Sequence, residues 1–179
     1  GQTAETSIAD GDTILIHDAS ASALRKMTKA NFVSGVGGTN TPAFQASAPG
    51  DQTLSDNSTT VIPANSELFD SDSAYNTSNY RFTPQTAGKY FCYIQLVASS
   101  NDQKIKRVLT SLRKNSANLY QDFMCDDNTD DMRKVGVFHG AVLDLDGSSD
   151  YFEATVAVDV SAGNLSMDYS RIGAYKLIT

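Results

Sequence analysis

The chain of 179 residues carries 14 basic and 21 acidic side chains, a net charge of −7 that argues against a phosphate-backbone partner. It is long enough to bury a core without metal or disulfide staples, and its two cysteines, Cys92 and Cys125, set no disulfide framework and read as reduced thiols. No run of 18 apolar residues and no charged-then-apolar leader occurs, so no membrane insertion is expected, and Gly1 in place of an initiator Met reads as a fragment or processed product.

Residues 13–17 (T-I-L-I-H) form a short β run between the turn Asp10-Gly11-Asp12 and Asp18-Ala19-Ser20. Residues 23–28 can pair back on it as a hairpin, and residues 28–32 read as a brief helical turn capped by Thr28. A hairpin this small cannot bury enough surface to stand alone and needs copies or partners. The glycine-rich stretch that follows is a flexible joint by composition. The expected organisation is a hairpin stalk over 1–33, a joint over 34–41 and a head over 42–179.

Within the head, residues 48–59 and 70–78 read as polar loops around short strands at 60–62 and 66–69. Phe82-Thr83-Pro84 ends an extended segment, because Pro84 has no N–H for a ladder. Ala87-Gly88 makes a turn in which Gly88 is free to take positive φ. From Lys89 a strand places Tyr90, Cys92, Ile94 and Leu96 on one face and Phe91, Tyr93, Gln95 and Val97 on the other. It is apolar on nearly both sides, so one face is expected in a sandwich core and the other under a second cover. Further strands are expected at 104–113, 134–145, 151–160, 165–167 and 171–178. In 151–160, Phe152, Ala154, Val156, Val158 and Val160 share one face, and Glu153, Thr155 and Asp159 the other. The pattern is that of an all-β sandwich of many short strands.

The run F-T-P-x-x-A-G-x-Y at Phe82, Thr83, Pro84, Ala87, Gly88 and Tyr90 resembles the signature of the complement component one-q type globular head. Residues 42–46 resemble that family's first strand, Lys114-Asn115 its K-N pair, residues 143–152 its L-x-L-x-x-G-D turn, and residues 171–177 its closing strand. Cys92 departs from the Phe often found there. The resemblance implies a ten-stranded jelly roll of the tumour necrosis factor kind, assembled as a homotrimer. Core and trimer packing is then expected of Phe82, Gly88, Tyr90, Phe91, Tyr93, Phe152, Gly173 and Tyr175. The stretch D-G-D-x-I-L-I-x-D-A-S-x-x-x-L-R-K-M-T is similar to stalk segments that precede head domains in bacteriophage tail fibres.

Catalysis finds little support. His17 and His139 fall in different segments, no G-x-S-x-G or phosphate-cradling loop is present, and the only glutamates are Glu5, Glu67 and Glu153. Asp126, Asp127, Asp130 and Asp131 supply hard oxygens suited to calcium but lack the helix-loop-helix pattern. They read as a solvated acidic loop, with calcium, which relatives of the fold bind near the trimer apex, as the alternative. No other cofactor is expected. Asp144, Asp146 and Asp150 read as a strand-ending turn, and the sequons at Asn57, Asn76 and Asn164 matter only in a secretory setting. Arg81, Lys104, Lys106, Arg107, Arg113 and Lys114 are expected to pair between subunits.

The expected function is a non-enzymatic bacteriophage fibre head on the virion, trimeric, joined to other tail or fibre proteins and binding a host-surface glycan or protein. The alternatives are a purely structural trimerisation cap and a secreted adhesion or lectin-like head. In the jelly roll that the chain resembles, first and last strands pair and both termini sit at the stalk end. Receptor contact is then expected at the opposite end, through residues 70–79, 99–103 and 115–131, with Tyr75 and Tyr120 as stacking platforms for sugars or, alternatively, as packing residues.

Overall fold

A computed structural model describes residues 7–34, 40–101, 105–125, 132–161 and 164–177; the side chains of Phe123 and Cys125 are not described. The chain divides into two compact units, over Gly1–Thr39 and Asn40–Leu177.

In the first unit β1 (Thr13–Asp18) pairs antiparallel with β2 (Ala23–Thr28), Thr13 opposite Thr28. The Asp18 carboxylate closes the turn by accepting the Ser20 hydroxyl and the Ala21 and Ser20 amides, which lowers its pKa, and Arg25 pairs with it at 3.1 Å. Helix α1 (Lys29–Val33) starts where the Thr28 hydroxyl accepts the Asn31 amide, the expected cap. None of its described residues is buried, and Leu15 and Leu24 are each 68% exposed.

The second unit holds two six-stranded sheets. Its twelve strand segments are β3 (Ala43–Ala48), β4 (Gln52–Leu54), β5 (Thr60–Val61), β6 (Ser66–Asp70), β7 (Tyr75–Asn76), β8 (Arg81–Phe82), β9 (Gly88–Ser100), β10 (Ile105–Lys114), β11 (Ala117–Cys125), β12 (Lys134–Leu145), β13 (Phe152–Val160) and β14 (Leu165–Lys176). One sheet runs β12-β9-β14-β3-β6 with β4 on β14; the other runs β11-β10-β13-β8-β7 with β5 on β13. The ten strands expected become twelve because β4, β7 and β11 form inside stretches that read as loops while the last two expected strands join into one.

β9 alternates as its sequence requires. Tyr90, Cys92, Ile94 and Leu96 are fully buried between the sheets, while Phe91, Tyr93 and Val97 are half-buried on the outward face and Gln95 is exposed. Burial raises the pKa of the Cys92 thiol, which stays free. At one end of the core Phe44 stacks on Tyr75 (4.4 Å) and Phe82 (4.6 Å), and Phe82 meets Tyr90 edge-on at 5.7 Å. Burial of each such ring contributes about 2–3 kcal/mol.

Three expectations fail for identifiable reasons. Residues 115–131 do not read on as one loop. Asn115 (φ 51) and Ser116 (φ 64) make a two-residue turn of the kind that matches strand twist, and β11 returns along β10. The two strands expected at 165–167 and from 171 onward are one strand, β14, ending at Lys176, whose register shifts between Met167 and Tyr169, so Asp168 is the extra residue of a bulge. Glu153, placed on a polar outer face, is only 2% exposed because Arg81 (3.1 Å) and Arg113 (3.2 Å) both pair with it.

Gly88 has φ 151, a conformation that side chains rarely adopt, as the turn reading required. A tighter constraint lies at Gly147 (φ 72), where a Cβ would stand 2.2 Å from the Ala87 nitrogen and 2.6 Å from the Thr86 carbonyl carbon. At Gly88 the obstacle is only the movable end of Lys176. Gly147→Ala is therefore expected to cost on the order of 2–4 kcal/mol, and Gly88→Ala about 1–2 kcal/mol. Chemical denaturation of both variants checks the order; equal losses would refute it.

Candidate functional site

The outward face of the β12-β9-β14-β3-β6 sheet carries a continuous row of rings. Antiparallel register sets Phe138 opposite Gln95, Gly140 opposite Tyr93, Val142 opposite Phe91, Gly173 opposite Tyr93 and Tyr175 opposite Phe91. Tyr93 and Phe138 lie 6.0 Å apart, Phe91 and Tyr93 6.3 Å, Phe91 and Tyr175 5.5 Å. The two glycines let these rings lie against the sheet. A Cβ on Gly140 would come 2.6 Å from Phe91 Cζ, and one on Gly173 2.6 Å from Tyr93 Cζ. Gln45 Nε2 donates to the Tyr93 hydroxyl and fixes that ring. Phe138 is 60% exposed, and Val142, Tyr175 and Phe69 are exposed beside it. Among the described residues nothing in this unit covers the row.

A second apolar surface lies along β11, the edge strand of the opposite sheet, where Leu119, Tyr120 and Met124 are exposed. Tyr120 thus sits on a strand, not on a loop tip. Where β11 approaches β12, His139 points between the sheets with Nδ1 3.4 Å from the buried Thr110 hydroxyl. Desolvation lowers the His139 pKa, and the Asp122 carboxylate partly opposes it.

The two ends of the sandwich differ. The Lys176 amide donates to the Pro42 carbonyl (3.1 Å) and the Leu177 amide to the Lys89 carbonyl (2.8 Å), so the chain enters and the described residues finish at one end. Residues 70–79 lie at that same end, since the Ser71 amide donates to the Ala43 carbonyl and the Ala43 amide to Ser71 Oγ. The Asn115–Ser116 turn is there too, because Lys114 Nζ donates to the Asp144 carbonyl and Asp144 pairs with Lys89. Of the three segments expected at the far end, 70–79 therefore lies at the near one, and 115–131 begins there before β11 runs back along β10, with Cys125 opposite Arg107. Tyr75 is also corrected. It is 6% exposed, its hydroxyl donates to the Ala64 carbonyl at 2.7 Å, and burial raises its pKa, so it packs and cannot serve as a stacking platform.

At the far end, strand ends of β9, β12, β14 and β4 enclose a polar groove of about 860 Å³ lined by Asp51, Ser99, Asn101, Arg133, Lys134 and Asp168 among others. At the bulge Asp168 accepts from Ser99 Oγ and pairs with Lys134 Nζ at 2.7 Å. Burial alone would raise the Asp168 pKa, but these two partners, with Ser166 close by, bring it below the ordinary value. Of this groove the segments expected to make contact supplied only Ser99, Ser100 and Asn101. Its residues come from four strands far apart in the chain and share no motif.

Other candidates resolve into structure. Asp146 accepts the amides of Asp150, Ser148 and Ser149, which hold its carboxyl far below the ordinary range and lock the strand-ending turn. Arg81 and Arg113 pair with Glu153, Lys114 with Asp150, and Arg107 donates to Asn57, so these cations have partners within the chain. Asp126, Asp127, Asp130, Asp131 and Lys104 lie outside the described residues. Among the described residues no group of three or more His, Cys, Asp or Glu side chains could hold a metal ion. No helix is long and apolar enough to cross a membrane.

No protein-family model matches the sequence, and no curated protein sequence does. The fold is similar to solved structures. The globular domain of a zebrafish complement 1qA protein shares 19% identity with a TM-score of 0.54, over 76% of this chain and 97% of that one. The Eiger TNF from S. frugiperda shares 18% identity with a TM-score of 0.51, over 76% of this chain and 94% of that one. The head has the jelly-roll sandwich fold of these proteins.

The position of His139 sets a pH dependence. A lowered folded-state pKa means that the unfolded chain binds the proton more tightly, so this contribution is intact above about pH 6.5 and fades as pH falls. Melting temperature is expected to drop more steeply from about pH 7.5 to 5.5 in the wild type than in His139→Gln. Identical slopes would remove His139 as the source.

Proposed function

We propose that the chain is a non-enzymatic recognition head that works as a homotrimer, and the observation that carries this is the uncovered ring row Phe138–Tyr93–Phe91–Tyr175. An exposed aromatic patch of this extent beside a complementary apolar edge marks an association surface. Two different patches on one chain suit a head-to-tail interface that closes into a ring, here of three. In that assembly Leu119, Tyr120 and Met124 of one copy meet the ring row of the next, and Tyr120 serves the subunit contact rather than a sugar.

The finer reading is a fibre tip on a bacteriophage virion that meets a host-surface glycan or protein. It is supported by the tail-fibre likeness of the first unit and by the negative charge, which disfavours nucleic acid. The polar far end, away from where the chain enters, is the surface that recognition would use, and three heads per fibre would turn weak single contacts into firm attachment. A second reading, a structural trimerisation cap, draws on the first unit, which buries none of its described residues and would gain a core only beside other copies.

The wild-type chain is expected to sediment as a trimer at micromolar concentration. Phe138→Asp should cost about 2 kcal/mol or more at each interface and yield monomers with unchanged circular dichroism. A wild-type monomer, or a Phe138→Asp trimer of undiminished stability, would sink the assembly. Binding of purified trimer to host cells, competed by unlabelled trimer, separates the recognition head from the structural cap.

A further inference from the structure

We infer that the groove at the far end of the head, centred on Asp168, is a binding site for a neutral sugar. The inference rests on the recognition-head reading and names the ligand class that the reading leaves open.

The lining chemistry selects the ligand. Asp51 and Asp168 supply carboxylate acceptors, Arg133 and Lys134 charged donors, and Asn101 and Ser99 groups that both give and accept. Vicinal sugar hydroxyls need this mixture, since each hydroxyl donates once and accepts as well. The charges within the lining balance, two acidic against two basic, and Lys134 is already spent on Asp168 at 2.7 Å. An anionic ligand would have to displace that pair in a chain of net charge −7. A protein partner would need an apolar or aromatic anchor. Leu165 is the sole large apolar residue in the lining, and it is buried.

The site is also held in place. Asp168 is aimed by the bulge between Met167 and Tyr169, and its carbonyl lies 3.2 Å from where a Gly50 Cβ would be, so the neighbouring backbone packs closely behind it. Asn101 bridges to the β14 side through its side-chain oxygen, which accepts the Asn164 amide at 2.8 Å, while the Asn101 amide donates to the Asn164 carbonyl. The Ser100 amide donates to the Arg133 carbonyl at 2.9 Å and ties the start of β12 to the end of β9. These three ties set donors and acceptors before a ligand arrives, which limits the ordering cost of binding. No aromatic ring is in the lining, so single-site affinity is expected in the millimolar range and depends on the trimer for strength.

The test is saturation-transfer NMR on the whole chain with glucose, galactose and N-acetylglucosamine as neutral probes and N-acetylneuraminic acid as the acidic one. At least one neutral sugar is expected to show transfer, with an affinity reduced about tenfold in Asp168→Asn, because a charged hydrogen bond is lost. Asn101→Ala, at an exposed position, provides an independent variant should Asp168→Asn fail to fold, and is expected to weaken the same sugar. Transfer from no neutral sugar, transfer from the acidic sugar alone, or transfer undiminished in both variants would overturn the site. If the trimer binds host cells while all sugars fail, the recognition reading stands and the groove inference falls. If a neutral sugar binds and host cells do not, the groove stands and the host reading falls.

Discussion

Both surfaces of the head depend on the period of two in β9. Successive side chains of a strand point to opposite faces, and this strand is apolar at nearly every position. Tyr90, Cys92, Ile94 and Leu96 fill the interior, and the same thirteen-residue strand must put Phe91, Tyr93 and Val97 outside. Its neighbours β12 and β14 answer on both faces. Inward they offer Val137, Leu143, Ile172 and Ala174. Outward they offer Phe138 and Tyr175, with Gly140 and Gly173 leaving room for rings. A one-residue slip of register would exchange these faces, so the core that holds the fold also fixes the composition of the outward ring row.

Charge is used differently at the two ends. Near the chain's entrance the buried carboxylate of Glu153 is neutralised by two arginines, one of which, Arg81, also stacks over Tyr151 at 4.1 Å. Asp146 and Asp150 bind backbone amides, Lys114 and Asn115. Those groups leave little capacity for an outside partner. At the far end the Asp168–Ser99–Lys134 cluster and the side chains of Asp51, Asn101 and Arg133 converge on a groove. The contrast is between an end whose charges are paired among themselves and an end whose polar side chains line a groove.

The sequence by itself determined the all-β class, the alternation of β9, the β12 boundaries, the Thr28 cap and the positive φ of Gly88. Each of these follows from side chains within a few residues of one another, and the likeness of motif order pointed to the jelly roll that the solved structures share. Tyr75 and Tyr120 could not be placed this way. Both sit in polar surroundings in sequence, yet one stacks on Phe44 thirty-one positions earlier and the other lies on an edge strand formed only because Asn115 and Ser116 accept left-handed backbone. Glu153 looked like a surface residue because its arginine partners are 72 and 40 positions away. The groove was illegible for the same reason. Its carboxylate is aimed by a bulge and its cation comes from another strand, and side chains that local chemistry leaves unpaired find partners only when the sheet brings distant strand ends together.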